Sequence, residues 1–130
     1  YAGPGDAPTI DGNLDEWPAT SVALSLTAQN SATVSGWPSS DADLSLNLWL
    51  RWHNDTLYVA GHIFDNFIVT DSSDIWRDDS IELAFDGLND KQSHWYEDDH
   101  QFTIAADGRL TDFARPLTDL PMATKRLPDG

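Results

Sequence analysis

Leu44-Ser45-Leu46-Asn47-Leu48-Trp49-Leu50-Arg51-Trp52 decides the fold class. Every even position from 44 to 52 is large and apolar, while Ser45, Asn47 and Arg51 are polar. Side chains alternate across a strand, so this period-two pattern predicts a β-strand with one buried and one wetter face. The alternation puts Trp52 in the core and Trp49 on the wet face. His53-Asn54-Asp55 reads as a turn, and Thr56 to Phe64 returns with Leu57, Val59 and Ile63 in phase, which predicts a hairpin.

The same pattern recurs downstream. Ser80 to Asp86 places Ile81, Leu83 and Phe85 inward, with Glu82 and Asp86 on the opposite face. Gln101 to Ala106 aligns Phe102, Ile104 and Ala106, and Asp107-Gly108 supplies the turn after it. Weaker strands are expected at Thr9-Ile10, Val22 to Leu26 and Leu110 to Phe113. No helical periodicity of any length is present. The expected architecture is all-β, a two-layer antiparallel sandwich of jelly-roll type, as a single domain over residues 1–130. The loops Gln29–Asp43, Asp65–Asp79 and Asp86–His100 are long and polar, the kind of segment that carries function.

Charge narrows the functional classes. The chain has 130 residues with 22 acidic and 7 basic side chains, a formal net charge of −15. Such a field repels phosphate backbones and anionic lipid, which argues against nucleic-acid and membrane-surface partners. No apolar run reaches the length of a membrane span, so insertion by this segment is not expected. The acid is almost all Asp, a turn-former and a hard oxygen ligand for Ca2+. Cysteine is absent, which excludes a disulfide framework. The chain starts without Met or an apolar leader and is read as a processed or excised piece of a secreted protein, extracellular or periplasmic.

Three groups of residues are candidates for chemistry. In Asp11-Gly12-Asn13-Leu14-Asp15-Glu16-Trp17, alternating Asp11, Asn13 and Asp15 start like a calcium loop, but the glycine and final glutamate of an EF-hand are missing. A tight turn capped by its own Asx side chains, with Trp17 packed beneath, is the simpler account. In Ile75-Trp76-Arg77-Asp78-Asp79-Ser80-Ile81-Glu82, Trp76 stands in a loop before a strand whose outward face carries Glu82. A ring face packs on pyranose C–H groups and a carboxylate orients hydroxyls, so the pair suits a sugar. A packing plug beside a structural ion-pair partner is the competing account, and spacing alone leaves the two even. The remaining tryptophans divide by phase: Trp52 and Trp17 are expected to pack, whereas Trp37, Trp49 and Trp95 lie in loops or on the wet face. Asp78, Asp79, Glu82, Asp98 and Asp99 offer material for a paired-carboxylate glycosidase, but clustered Asp is ordinary in so acidic a chain, and no enzyme is expected.

Taken in order, Ile10-Asp11-Gly12, Asp15-Glu16-Trp17, Leu57-Tyr58-Val59 with Asp65, Trp76, Asp79-Ser80-Ile81-Glu82-Leu83, Asp86 and Asp99-His100-Gln101-Phe102 resemble the family 9-type carbohydrate-binding modules and their DOMON-like sandwich relatives. The resemblance runs from about Pro8 to Gly108. It implies a β-sandwich with structural calcium and a sugar slot between two tryptophans, attached to a catalytic or receptor domain. Carried over by position, Trp76 is the first of that aromatic pair and Glu82 the hydroxyl acceptor, with Gln101 and Lys91 on the polar rim. Asp65 and the Asp11–Asp15 turn are the expected calcium ligands. Family members continue with a Gly-Tyr-x-x-Glu strand, an Ile-Pro-Trp segment and the second clamping tryptophan. Here Pro128-Asp129-Gly130 stands at that point, so further strands are expected from beyond it or from a partner. The functions implied are non-catalytic binding of oligo- or polysaccharide, then an extracytoplasmic sensor of histidine-kinase type, then an assembly subunit that accepts a neighbour's strand.

Overall fold

The computed structural model describes residues 3–30, 36, 38–113, 116–117 and 120–127. Trp37 and the Pro128-Asp129-Gly130 turn signal lie outside the described residues. The chain forms two compact units, one comprising Tyr1–Phe67 with Lys125–Gly130, the other Ile68–Thr124. Both are built on β-sheet, and the described helices are two three-residue 3-10 turns, Ala19–Ser21 and Ile75–Arg77. The all-β class expected from alternation is therefore what the structure has, and two sheets accord with a sandwich.

In the first unit the strands are β1 (Gly3–Pro4), β2 (Leu24–Leu26), β3 (Leu44–His53) and β4 (Thr56–Asp65). The β3–β4 hairpin pairs from Leu44↔Asp65 to His53↔Thr56. The two-residue turn between them has Asn54 at φ 51, the left-handed region that Asn tolerates. Because β4 occupies one edge of β3 along its whole length, β2 and β1 share the other. β2 runs antiparallel against Leu46–Leu48, and β1 runs parallel with Gly3↔Arg51 and Pro4↔Trp52. The strand expected at Thr9-Ile10 does not form, since Thr9 instead donates its N–H to the Glu16 carboxylate at 3.1 Å.

The core of this unit reverses one expectation. Trp49 is only 6% exposed, whereas Trp52 is 45% exposed. Both faces of β3 are covered at its middle, because the segment before β2 lies against the odd-numbered side chains. The Trp49 indole Nε1–H donates to Pro18 O at 3.1 Å. The Arg51 guanidinium donates to Asp6 O and Glu16 O and stacks 4.5 Å over the buried Trp17 ring. Those bonds satisfy the polar atoms that burial would otherwise leave without partners. Trp52 sits at the hairpin end of β3, where alternation continues but cover does not.

In the second unit β5 (Ser80–Asp86), β6 (Asp99–Ala105) and β7 (Leu110–Asp112) form an antiparallel meander. The register Glu82↔Thr103, Leu83↔Phe102 and Ala84↔Gln101 continues as Thr103↔Thr111 and Phe102↔Asp112. One face therefore carries Ile81, Leu83, Phe85, Phe102, Ile104 and Leu110. Phe102 anchors this face, edge-on to Phe85 at 5.9 Å and stacked on His100 at 5.2 Å. The opposite face carries Glu82, Gln101, Thr103 and Thr111. That division of faces is what positions the candidate site.

Candidate sugar-binding face and carboxylate cluster

On the polar face of the meander, Glu82 is the hub. Its Oε2 accepts from Gln101 Nε2 at 3.2 Å, and its Oε1 accepts from Thr103 Oγ1 at 3.3 Å. The register explains this: Thr103 is directly opposite Glu82, and Gln101 is the diagonal neighbour on the same face. Thr103 is buried and Gln101 half-buried, while Glu82 is exposed, so the carboxylate is held from below and open above. Thr103 was not singled out from sequence, although it falls two residues after Gln101, where alternation returns to the same face.

Trp76 occupies the 3-10 turn Ile75–Arg77, three residues before β5 begins. The turn is pinned by Ile75, which is buried, while the neighbouring Trp76 is 64% exposed. The Arg77 guanidinium carbon stands 5.2 Å from the centre of the Trp76 ring. Behind this turn, buried Asp78 accepts the Ser72 N–H on Oδ1 at 2.8 Å and pairs through Oδ2 with Arg109. Arg109 enters from the β6–β7 turn, where Gly108 adopts φ +89 and Asp107 Oδ2 takes the Arg109 Nε–H at 2.7 Å. The carboxylates of Asp107 and then Asp78 hold the Arg109 guanidinium above its ordinary pKa.

Of the four residues expected to bind sugar, Glu82 and Gln101 are in direct contact, and Trp76 leads into the strand that carries Glu82. Lys91 stands beyond the other end of β5, with its N–H on Asp86 Oδ2 at 2.9 Å. Phe113, 76% exposed, was also not singled out: its N–H bonds Gln101 O at 2.9 Å, and strand alternation after Thr111 assigns it to the Gln101 face.

The expected metal ligands behave as local caps. Asp11 Oδ1 accepts the Asn13 N–H at 2.8 Å, and Asp15 Oδ2 accepts from Asn13 Nδ2 at 3.0 Å. Asp65, at the end of β4, accepts the Phe67 N–H at 2.8 Å. These three carboxylates do not gather into one group. Those that converge are Asp86, Asp98 and Asp99, each offering an oxygen within 4.8 Å of the others. Asp86 ends β5 and Asp99 begins β6 directly opposite it, so the sheet register itself makes the cluster. Gly87 permits the approach, since a Cβ there would lie 2.5 Å from the Asp98 carbonyl oxygen. The Lys91 N–H above all, with those of Asp90 and Asn89, keeps the Asp86 carboxyl below its ordinary pKa.

Residues 10–118 match the family model described as carbohydrate family 9 binding domain-like. The chain is 31% identical over 98 residues to endo-1,4-beta-xylanase A of Thermotoga maritima, and 28% identical over 98 residues to the enzyme of that name from Thermotoga neapolitana. It is 26% identical over 101 residues to exoglucanase XynX of Acetivibrio thermocellus. These alignments cover 75%, 75% and 77% of this chain but only 9%, 9% and 8% of the relatives, so the chain spans less than a tenth of the proteins it matches. No helix among the described residues is long and apolar enough to cross a membrane. The family match covers most of the sequence, including both sheets' long strands and the Glu82 face, and the chain belongs to the carbohydrate family 9 binding domain-like family.

Proposed function

We propose that this chain is a non-catalytic carbohydrate-binding module, carried by a secreted glycoside hydrolase, that binds β-1,4-linked xylose or glucose oligomers. The observation that carries the proposal is Glu82: an exposed carboxylate held by Gln101 and Thr103 on a polar strand face, in the strand that the exposed Trp76 leads into. Equatorial sugar hydroxyls donate to a carboxylate, and the axial C–H face of a pyranose packs on an indole ring. Gln101, already donating to Glu82, keeps its carbonyl oxygen as an acceptor for a further hydroxyl. The sugar class is taken from the xylanase and exoglucanase relatives, whose names specify it for those proteins. Titration with xylotriose and cellobiose, followed by tryptophan fluorescence, tests the proposal.

Structural calcium completes the reading. Asp86, Asp98 and Asp99 fit it, since three converging hard oxygen donors repel one another unless a cation neutralises them. When bound, the ion would supply that neutralisation and no part of sugar recognition. The residues' own task is architectural: they accept the N–H groups of Leu88, Asp90, Lys91 and Tyr96, which orders the long β5–β6 connection.

A further inference from the structure

Trp76 is mostly exposed, so its orientation is not fixed by burial of its own ring. Beyond the Arg77 guanidinium over its ring, the backbone that carries Trp76 must supply that order, and two neighbouring aspartates restrain it: Asp79 holds Val69 through its N–H and its carboxylate, and Asp78 holds Ser72. Asp78, two residues after Trp76, has its carboxylate fully withdrawn from solvent. It takes the Ser72 N–H on one oxygen and Arg109 on the other. Arg109 Nη1 donates to Ser72 O at 2.8 Å. Ser72 is thus gripped through both its backbone groups, and residues 72–78, with Trp76 inside them, are closed into a loop. The third side of the guanidinium is occupied by Asp107. A planar fork with fixed donor directions can serve three partners at once, which a lysine ammonium on a flexible stem reproduces poorly.

We propose that Arg109 is a positioning residue for the sugar platform: through Asp78 and Ser72 it sets the attitude of the Trp76 indole without touching the ligand. The proposal rests on Trp76 being the platform. Its sequence logic is an Asp-Gly turn that aims an arginine from the β6–β7 connection at a loop 31 residues earlier.

The test uses the whole chain labelled with 5-fluorotryptophan, with the Trp76 resonance assigned from Trp76→Phe. In Arg109→Lys the Trp76 resonance is expected to shift or broaden without sugar present, while the other tryptophan resonances stay in place. Should Arg109→Lys disturb all the resonances and so fail to fold, Asp107→Ala, which removes the Nε partner and the cap on the Arg109 N–H while leaving the guanidinium its bonds to Asp78 and Ser72, takes its place. Affinity for xylotriose and cellobiose is expected to fall about tenfold in the same variant, because platforms misplaced by an ångström lose most of their use. In a Trp76→Ala background the Arg109 change should then cost almost nothing more. A sharp, unmoved Trp76 resonance in folded Arg109→Lys overturns the proposal, as do additive losses in the double variant. If the parent chain binds neither sugar, the functional reading fails and the fluorine spectra still decide whether Arg109 orders Trp76.

Discussion

The Trp49 indole Nε1–H donates to the carbonyl of Pro18 at 3.1 Å, and this bond joins the middle of the longest hairpin to the segment that precedes it in the chain. Burial there follows from cover on both faces of β3. Trp49→Ala is therefore expected to destabilise by about 3–5 kcal/mol, the usual cost of emptying a buried aromatic site. Trp52→Ala, at a half-exposed position, should cost about 1 kcal/mol or less. Urea unfolding of the two variants checks the order, and equal losses would contradict it.

At Gly87 the Asp98 carbonyl stands in the space that a side chain would take. Gly87→Ala is expected to lose about 1–3 kcal/mol by forcing the β5–β6 connection apart, as overpacking does. The same denaturant curves measure this. Unchanged stability would mean that the connection opens freely and does not hold the carboxylate trio.

The Asp86 carboxyl is held below its ordinary value of 3.8, chiefly by the Lys91 N–H. A lowered carboxyl contributes stability that is fully present above that ordinary value and is lost as pH falls through the folded-state value. Asp43 and Asp107 are lowered in the same sense, by backbone N–H groups of Ser39 and Arg109 respectively. Acid unfolding should therefore concentrate below about pH 4, and Asp86→Asn should flatten that limb of the curve. A curve that Asp86→Asn leaves unchanged would refute the assignment.

Calcium held by Asp86, Asp98 and Asp99 would raise the melting temperature by mass action, since it binds the folded chain alone. Chelator is expected to lower the melting temperature of the parent and to leave Asp98→Asn unaffected. A chelator effect that persists in Asp98→Asn would locate the ion elsewhere, the Asp11–Asp15 turn and Asp65 being next.

The long strands were legible because alternation is strict where one face meets the core: β5 begins and ends where Ser80 and Asp86 predict it. The Glu82–Gln101 contact was half legible, since each residue's face could be read while the register that makes them neighbours could not. Trp49 and Trp52 were misassigned because period two reports phase and is silent on cover by a distant segment. The carboxylate trio and the Asp78–Arg109 pair depend on close approaches between residues 12 to 31 positions apart, set by strand pairing and turns. Asp is so frequent here that no single one stands out. Its abundance has a local cause, visible at Asp41, Asp43, Asp65 and Asp90, whose carboxylates cap loop N–H groups.

The central claim is that Trp76 and Glu82 together receive a sugar. The most direct measurement is the affinity of the parent, Trp76→Ala and Glu82→Gln for xylotriose and cellobiose by calorimetry, with melting curves alongside. The parent should bind at least one of them, Trp76→Ala should lose about 2 kcal/mol or more, roughly thirtyfold, and Glu82→Gln about tenfold, with folding intact. Undiminished binding by a folded Trp76→Ala variant would contradict the account.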